Sequence, residues 1–310
     1  MRHFIEEVGN LIGFKRRDLI EKDFVLHGIL LSLSKGSFFR ENFLFKGGTC
    51  LIKSYIDYYR FSEDVDFTWK NQHIFKDMSQ KEVRRYISCI LDQIGRVLEG
   101  LNMDFIFDKS NRRYVELVGG NKTVTFKLWY DSEILHRPSF VKVQINFVES
   151  ILFPTSERKI KSLLSGKDIR SIYAIFPDKC KEYSVEAVLQ TYDIREILCE
   201  KVRSILTRRG FKERDFVDVY MIERNYGINV NDVRSQIVDK TLLMLKMYER
   251  YRESFREKAD MIKEGDELFV LGEERKLMLT ELDEMDFYEF VDEFRKELRD
   301  LYDDIQGRLK

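Results

Sequence analysis

The spacing of apolar residues divides the chain into a mixed first part and a helical second part. LIEKDFVLHGILLSL repeats apolar residues at threes and fours, which predicts a helix within residues 1–35. Short apolar runs in ENFLFK and VDFTW predict strands, and Ser79–Leu98 is predicted as a charged amphipathic helix. Residues 102–149 alternate or run apolar, with a Gly-Gly-Asn turn between two runs, and predict mostly antiparallel strands.

The pattern changes again after these strands. Residues 150–182 are irregular and are interpreted as a joint between domains, and the chain beyond them is helical nearly to its end. The predicted fold class is therefore α+β. A mixed or antiparallel sheet flanked by helices is expected over residues 1–180, followed by an all-α domain over residues 181–310.

Composition and charge exclude several classes of protein. The 310 residues are 44% hydrophobic, enough to bury a substantial core in one large domain or two ordinary ones. The formal net charge of −1 gives no global field that would attract nucleic acid, so a plain RNA-binding protein is disfavoured. No apolar run is long enough for a membrane span, and four scattered cysteines without a CxxC pair predict reduced thiols in a cytoplasmic protein.

The stretch FKGGTCLIKSYIDYYRFSEDVDF, residues 45–67, contains the first candidate site. Gly47 and Gly48 lie between a predicted strand and a predicted helix, where exposed backbone N–H groups and the helix dipole favour a phosphate. Thr49 is predicted to be the helix N-cap and adds a hydroxyl. A glycine pair by itself is more often only a turn.

Two aspartates follow this turn closely. In a half-buried strand Asp64 and Asp66 lie on one face, about 6.6 Å apart along the backbone, while Val65 and Phe67 face the core. Neighbouring carboxylates repel each other unless a cation lies between them. Hard oxygen ligands suit Mg²⁺, which takes its remaining ligands from water and substrate phosphates. A solvated strand edge is the alternative for the aspartates alone, but the glycine turn beside them favours a metal-assisted phosphate site.

These residues resemble the AbiEii-like nucleotidyltransferases, toxins of abortive-infection toxin–antitoxin systems within the DNA polymerase beta-like superfamily. The resemblance covers roughly residues 20–222 and rests on two blocks. The first block comprises EKDF at Glu21–Phe24, then Lys46, Gly47, Gly48, Thr49, Leu51 and Lys53, then Arg60, Phe61, Ser62, Asp64 and Asp66. The second block comprises Glu200, Lys201, Arg208, Arg214, Asp215 and Asp218.

The resemblance implies a nucleotidyltransferase core followed by a helical domain that closes the nucleotide cleft. It implies Mg²⁺-dependent transfer of a nucleoside monophosphate from a nucleoside triphosphate to an acceptor hydroxyl, such as the 3′ end of tRNA or another RNA. It also implies a toxic activity that a cognate antitoxin neutralises. The implied metal ligands are Asp64 and Asp66; the implied catalytic residues are Asp64, Asp66, Lys201 and Asp215; the implied nucleotide-binding residues are Gly47, Gly48, Thr49, Lys53, Ser62 and Arg208.

The second block carries a signal of its own. In DIREILCEKVRSILTRR, plotted at 100° per residue, Lys201 falls in the middle of the apolar face. Burial of an ammonium without a partner is costly. Lys201 therefore either has a structural role, with its ammonium extended to solvent or paired with a core acid, or it meets nucleotide phosphates, and the second reading is favoured. Asp215 and Asp218 share one side of the next helix; Asp215 is either a cap or the functional acid that the resemblance implies.

One feature of the superfamily is missing from the sequence. Polymerase beta-like enzymes commonly carry a third carboxylate on a neighbouring strand, but KVQINF presents Gln144 and Asn146 at the alternating positions. This absence weakens the case for two-metal activation of the acceptor hydroxyl. Other acids considered for this position are Glu149, Glu116 and Asp131.

Without a third acid, catalysis would rest on positioning and one well-held metal, with Asp64 or Asp215 as the base. The alternative is a nucleotide-binding regulatory or partner-binding module that kept the phosphate pocket and lost turnover. Aromatic residues that can stack a base are Tyr58, Tyr59 and Trp129, although their segments have mostly a core pattern.

Overall fold

The structure is a computed structural model that describes residues 1–263 and 272–309. The chain forms two compact units, and the sequence prediction placed the division between them after residue 180. The units comprise Met1–Glu149 with Thr155–Tyr192, and Ser150–Pro154 with Asp193–Lys310.

The first unit combines short helices with a sheet. Its amphipathic helices pack through aromatic side chains; Phe4 and Phe24, for example, meet edge to face with ring centroids 5.7 Å apart. The helices are α1 Arg2–Leu11, α2 Arg17–Lys35, α3 Ser37–Asn42, α4 Gly47–Cys50 with its π-helical continuation Leu51–Tyr55, α5 Gln80–Glu99, α6 Arg170–Ile175 and α7 Pro177–Ser184. The strands are β1 Phe43–Lys46, β2 Asp64–Trp69, β3 Val115–Val118, β4 Thr123–Ser132, β5 Arg137–Asn146, β6 Ser156–Ile160 and β7 Ala187–Thr191.

Within the described residues, the seven strands form one mixed sheet in the order β3-β4-β5-β2-β1-β7-β6. Strands β3, β4 and β5 pair antiparallel, as predicted, whereas β5 runs parallel to β2. One face is apolar, and α5 covers it: Tyr86 of this helix contacts Trp69, with ring centroids 6.3 Å apart. The opposite face, called the polar face below, carries part-exposed side chains. These are Asp64, Asp66, Thr125, Lys127, Trp129, Phe140, Lys142, Gln144 and Asn146.

Three local predictions were wrong. The run NMDFIFD forms only an isolated bridge between Asp104 and Trp129, because the Asp108 carboxylate accepts the N–H of Ser110 and turns the chain. The predicted joint at 150–182 contains β6, α6 and α7. The segment Ala187–Thr191, predicted as helical, is strand β7 and pairs antiparallel with β6. Short strands have too few residues to show a clear period.

The second unit is helical and includes a short segment from before strand β6. Glu196 accepts the N–H groups of Leu152 and Phe153, each at 2.8 Å. Lys240 donates to Glu196 and to the carbonyl of Ser150, so this buried ion pair holds the segment in the second unit. The helices are α8 Ile194–Thr207, α9 Glu213–Tyr226, α10 Arg234–Met247, α11 Glu249–Glu257, α12 Ala259–Lys263 and α13 Glu284–Leu309.

The cysteines are free thiols, three buried and one exposed. Burial raises the pKa of the Cys50 and Cys199 thiols to about 12, so both remain protonated and unreactive at neutral pH. Among the described helices, none combines the length and the apolar character that crossing a bilayer requires.

Candidate active site

The turn between β1 and α4 brings the backbone against the next strand. Gly47 has a φ of +76°, a conformation that favours glycine. A Cβ on Gly47 would lie 2.5 Å from Oδ2 of Asp66, so a side chain there would displace this carboxylate. A Cβ on Gly48 would lie 2.5 Å from Nη2 of Arg60, a buried guanidinium that the sequence prediction did not include in the site. Both glycines are therefore required by close packing.

Thr49 is buried and supports the backbone of β2, the strand that carries Asp64 and Asp66. The helix begins at Gly47, so Thr49 lies in its first turn and the predicted N-cap was wrong. Its hydroxyl donates to the carbonyl of Asp64 and lies 2.7 Å from the Ser62 hydroxyl. Because the Thr49 side chain is only 1% exposed, its predicted contact with phosphate is not supported. Thr49 instead holds the backbone from which Asp64 projects, while Ser62 remains part-exposed.

The two aspartates lie on the polar face beside the glycine turn. Asp64 and Asp66 are part-exposed, while Val65 and Phe67 are buried, as the alternation predicted. The Asp64 carboxylate has no hydrogen-bond or ion-pair partner among the described residues. An unpaired carboxylate next to a second acidic side chain is suited to binding a cation.

Amides occupy the neighbouring positions on β5. In the strand register Gln144 lies opposite Asp66, and Asn146 lies opposite Thr68. Oδ1 of Asn146 is buried and has no hydrogen-bond partner within the described part of the chain. A buried acceptor left unpaired costs about 1–3 kcal/mol. Asp64, Asp66 and Gln144 are part-exposed, so the polar face offers two carboxylates and one amide side chain.

Glu149 does not supply a third carboxylate. It is buried, and its Oε2 lies 3.8 Å from Nζ of Lys46, whose Cα is paired with that of Asp66. The Lys46 ammonium also lies 5.4 Å from the centre of the Tyr192 ring. No group of three or more His, Cys, Asp or Glu suited to a metal occurs among the described residues. Lys46 was missed as a site residue, although a lysine in a buried strand was a visible signal.

The predicted role of Lys53 needs correction. Its side chain is 1% exposed, and Nζ lies 2.9 Å and 3.0 Å from the two carboxylate oxygens of Asp23. Nζ also donates to the hydroxyl of Tyr58, and this bond uses the third N–H of the Lys53 ammonium. Tyr183 donates a further hydrogen bond to Asp23. Lys53 therefore connects α4 to α2 and has no N–H left for a phosphate, and Tyr58 is held in the same cluster.

In the second unit, Lys201 lies between two acids of α9. Its Nζ is 2.9 Å from Oδ1 of Asp215 and 2.6 Å from Oδ2 of Asp218, and its side chain is 11% exposed. Nη1 of Arg208 lies 2.9 Å from Oδ2 of Asp215. The structure therefore contains the pairing with core acids that was one of the two alternatives for Lys201. A phosphate contact by Lys201 stays a prediction.

Asp215 remains ionised although it is almost completely buried. Burial acts to raise the pKa of its carboxyl, but the nearby cations Lys201 and Arg208 outweigh this and hold the pKa below its usual value. A carboxylate with a low pKa and both oxygens bound is a poor general base at neutral pH. Asp215 is therefore a positioning residue for Lys201 and Arg208, and not the base considered from the sequence.

Lys258 fixes the loop that follows α8 and carries Arg208. Its Nζ donates to the carbonyls of Ile205 and Gly210 and lies 4.3 Å from the centre of the Phe211 ring. Burial, with the charge of Arg208, lowers the pKa of Lys258 to about 7. The sequence prediction missed this residue because it lies in a charged run, RESFREKAD, in which a buried lysine is not distinctive.

Comparisons with known proteins show the family and the fold of the chain. The family described as "Nucleotidyl transferase AbiEii toxin, Type IV TA system" matches residues 29–307, a longer span than the sequence motifs covered. The structure of MenT4, a nucleotidyltransferase toxin from Mycobacterium tuberculosis, has the same fold, with a TM-score of 0.54, 16% identity, and coverage of 97% of this chain and 98% of that one. JHP933 from Helicobacter pylori gives a TM-score of 0.42 and 13% identity over 96% of this chain and 100% of its own. No curated protein matches the sequence.

Proposed function

Because the chain belongs to the AbiEii nucleotidyltransferase toxin family of type IV toxin–antitoxin systems, we propose that it transfers a nucleoside monophosphate to the 3′ end of a tRNA or another RNA. The observation that supports this most directly is the close approach of Gly47 to Asp66. It puts a helix N-terminus suited to phosphate beside a carboxylate pair suited to a divalent cation.

The oxygen donors of the polar face fit Mg²⁺. Asp64 and Asp66 would hold it, and the amide oxygen of Gln144 lies on the strand position next to Asp66. Two carboxylates leave room for water and phosphate oxygens, which Mg²⁺ prefers to retain in its shell. When bound, the ion offsets negative charge on the triphosphate and polarises the α-phosphate.

The remaining groups bind and orient the reactants. The N–H groups of Gly47 and Gly48 and the Ser62 hydroxyl hold the β- and γ-phosphates. The family resemblance assigns Lys201 and Arg208 the role of offsetting the charge that develops on pyrophosphate. The acceptor oxygen bonds to the α-phosphorus while the bond from the α-phosphorus to the bridging oxygen breaks, and pyrophosphate leaves. Asp64 takes the hydroxyl proton, because it is the carboxylate of the site with no partner in the described residues.

Incubation of the protein with Mg²⁺, each α-labelled nucleoside triphosphate and total RNA tests the reaction. We expect labelled RNA from at least one triphosphate, and loss of the product when EDTA removes the metal. Tight binding of a triphosphate without any labelled acceptor would contradict the proposal and would instead indicate a binding module.

A second experiment tests the proposed antitoxin partner. Expression of the chain alone should stop the growth of a bacterial host, and co-expression of the neighbouring gene should restore it. Growth arrest that the Asp64→Asn variant also causes would show that toxicity does not depend on transfer.

Gly47→Ala should greatly reduce transfer while the protein still folds. A Cβ at this position meets Oδ2 of Asp66, and the φ of +76° adds strain of about 1–2 kcal/mol. Gly166→Ala is the matched control, since Gly166 has a φ of +74° and nothing within 4 Å of its Cβ position. Urea unfolding should show a similar loss of stability from the φ strain in both variants, whereas labelled-nucleotide transfer should fall at least about 100-fold only in Gly47→Ala. Equal transfer by the two variants would contradict the role of the turn.

A further inference from the structure

The polar face continues beyond the aspartates onto β5 and β4. Lys142 lies opposite Asp64 in the register of β5 and β2, and Phe140 lies two residues before Lys142 on β5. Trp129 of β4 lies opposite Phe140. From strand spacings, the Cα atoms of Phe140 and Trp129 are about 8 Å and about 12 Å from that of Asp64. We call Trp129, Phe140 and Lys142, with the adjacent Arg113, the sheet platform.

The rings of the platform are part-exposed and held in place. Trp129 and Phe140 have ring centroids 4.6 Å apart, at an interplanar angle of 51°. The indole N–H of Trp129 donates to the carbonyl of Arg113 at 3.0 Å, which fixes the orientation of the ring. The Arg113 guanidinium lies over the Trp129 ring, 4.3 Å from its centre, and so covers one face of the indole with its own plane. Aromatic rings on a sheet surface would normally be covered by a helix, as α5 covers the opposite face.

The charge on this surface is positive where it adjoins the acidic pair. Lys142 has no carboxylate partner among the described residues, and its ammonium lies 5.9 Å from the centre of the Phe140 ring. Arg113 is paired with Asp104, and Lys127 is paired with Glu116. Lys142 is therefore the platform cation whose charge is available to a ligand.

From this arrangement we propose that the sheet platform binds the unpaired end of a single-stranded polynucleotide and directs its terminal hydroxyl towards Asp64. Bases stack on Phe140 and on the Arg113 plane that covers Trp129, and Lys142 contacts a backbone phosphate. The role of the terminal hydroxyl as the acceptor rests on the proposed function. Binding of the strand to the platform does not require nucleotide transfer.

A nucleic acid strand fits this surface better than a protein partner does. Every base has a flat face that stacks on an aromatic ring whatever the sequence, and each linkage supplies one negative charge. The platform offers rings and one unpaired cation but no contiguous aliphatic patch, which a docking helix would need. The bases of a closed duplex are paired and stacked on one another, so a duplex without loops or overhangs cannot use the rings.

Intrinsic fluorescence gives a direct measurement of binding without any triphosphate. The chain has two tryptophans, and Trp69 is buried against α5, so a Trp69→Phe background reports Trp129 alone. Single-stranded RNA should quench Trp129, and a blunt-ended RNA duplex of the same length should not. The same measurement with single-stranded DNA shows which groups of the strand are bound. Equal binding of DNA and RNA indicates stacking alone, and tighter binding of RNA indicates an added contact to the 2′-hydroxyl. Either result supports the platform.

Variants of the platform should weaken this binding in two different ways. Phe140→Leu keeps an apolar side chain and should raise the Kd roughly tenfold by loss of stacking. Lys142→Gln should also raise the Kd and lower the slope of log K against log salt by about 0.7. Lys81→Gln is the control, because Lys81 is exposed on α5, the helix that covers the opposite face, and has no ion pair in the described residues.

The outcome separates the platform from the reaction. Unchanged Kd in Phe140→Leu and Lys142→Gln, or equal quenching by a blunt duplex and a single strand, would overturn the platform even if the enzyme transfers nucleotides normally. Specific single-strand binding by a wild-type chain that transfers nothing would overturn only the proposed function. If both hold, the KM for the acceptor should rise in Phe140→Leu while the KM for the triphosphate stays the same.

Discussion

Replacement of Asp64 by asparagine should reduce nucleotide transfer at least about 1,000-fold, which corresponds to about 4 kcal/mol of transition-state stabilisation. The change removes one of the two carboxylates on the polar face together with the group proposed to accept the hydroxyl proton. The fold should be retained, because the Asp64 side chain has no partner in the described residues and its removal relieves repulsion with Asp66. Initial rates of labelled-nucleotide transfer, with thermal unfolding of the same samples, provide the measurement.

Two further readouts make this prediction specific. Mg²⁺ with a triphosphate should raise the Tm of the wild-type protein and have little effect on Asp64→Asn, since binding stabilises only a form that binds. Asp131→Asn is the matched control, because Asp131 is exposed and its Cα lies roughly 13 Å along β4 from that of Lys127, the residue level with Asp64. Undiminished transfer by Asp64→Asn, or an equal loss in Asp131→Asn, would remove the role assigned to the acidic pair.

Replacement of Lys201 by methionine should both destabilise the protein and abolish transfer. Asp215 and Asp218 are 2% and 0% exposed, and their carboxylates lie 2.9 Å and 2.6 Å from this ammonium, so its removal should cost about 3–5 kcal/mol in the free energy of unfolding. Loss of activity in this variant alone would therefore not distinguish a catalytic role from a structural one. Urea denaturation measures the stability, and the transfer assay measures the activity.

The double variant Lys201→Met with Asp218→Asn makes that distinction. It removes one cation and one anion and leaves the Arg208–Asp215 pair, so most of the lost stability should return. Transfer should stay at the level of Lys201→Met if the ammonium contacts the triphosphate. Recovery of transfer together with stability would show that Lys201 serves only to neutralise the two acids, which was the other alternative from the sequence.

The resemblance to the family and the local features of the site were both available from the sequence. Alternation with a period of two placed Asp64 and Asp66 on one face, and the glycine pair marked a close backbone approach. These are properties of neighbouring residues, and strand geometry determines them without knowledge of the rest of the chain. The family match over residues 29–307 confirmed the assignment that these motifs suggested.

The partners of charged side chains could not be read in the same way. Lys53 looked like a phosphate ligand in its motif, but it is buried against Asp23 of α2. The hydroxyl of Thr49 donates a hydrogen bond to the backbone carbonyl of Asp64 in β2. In each case the motif was recognised correctly, while the direction of the side chain depended on a helix or strand distant in the sequence.

The sequence by itself therefore determined the acidic pair, the glycine turn, the alternating strands and the apolar face around Lys201, since each depends on residues within one element. The tertiary structure alone decided that Gln144 stands beside Asp66, that Glu149 lies next to the Lys46 ammonium, and that Phe140 and Trp129 share the polar face with the acidic pair. These relations depend on which strands pair and in what register. The register of the strands is set by the burial of one whole face of the sheet. Burial of that face depends on all the strands together, so the sequence of a single segment does not determine it.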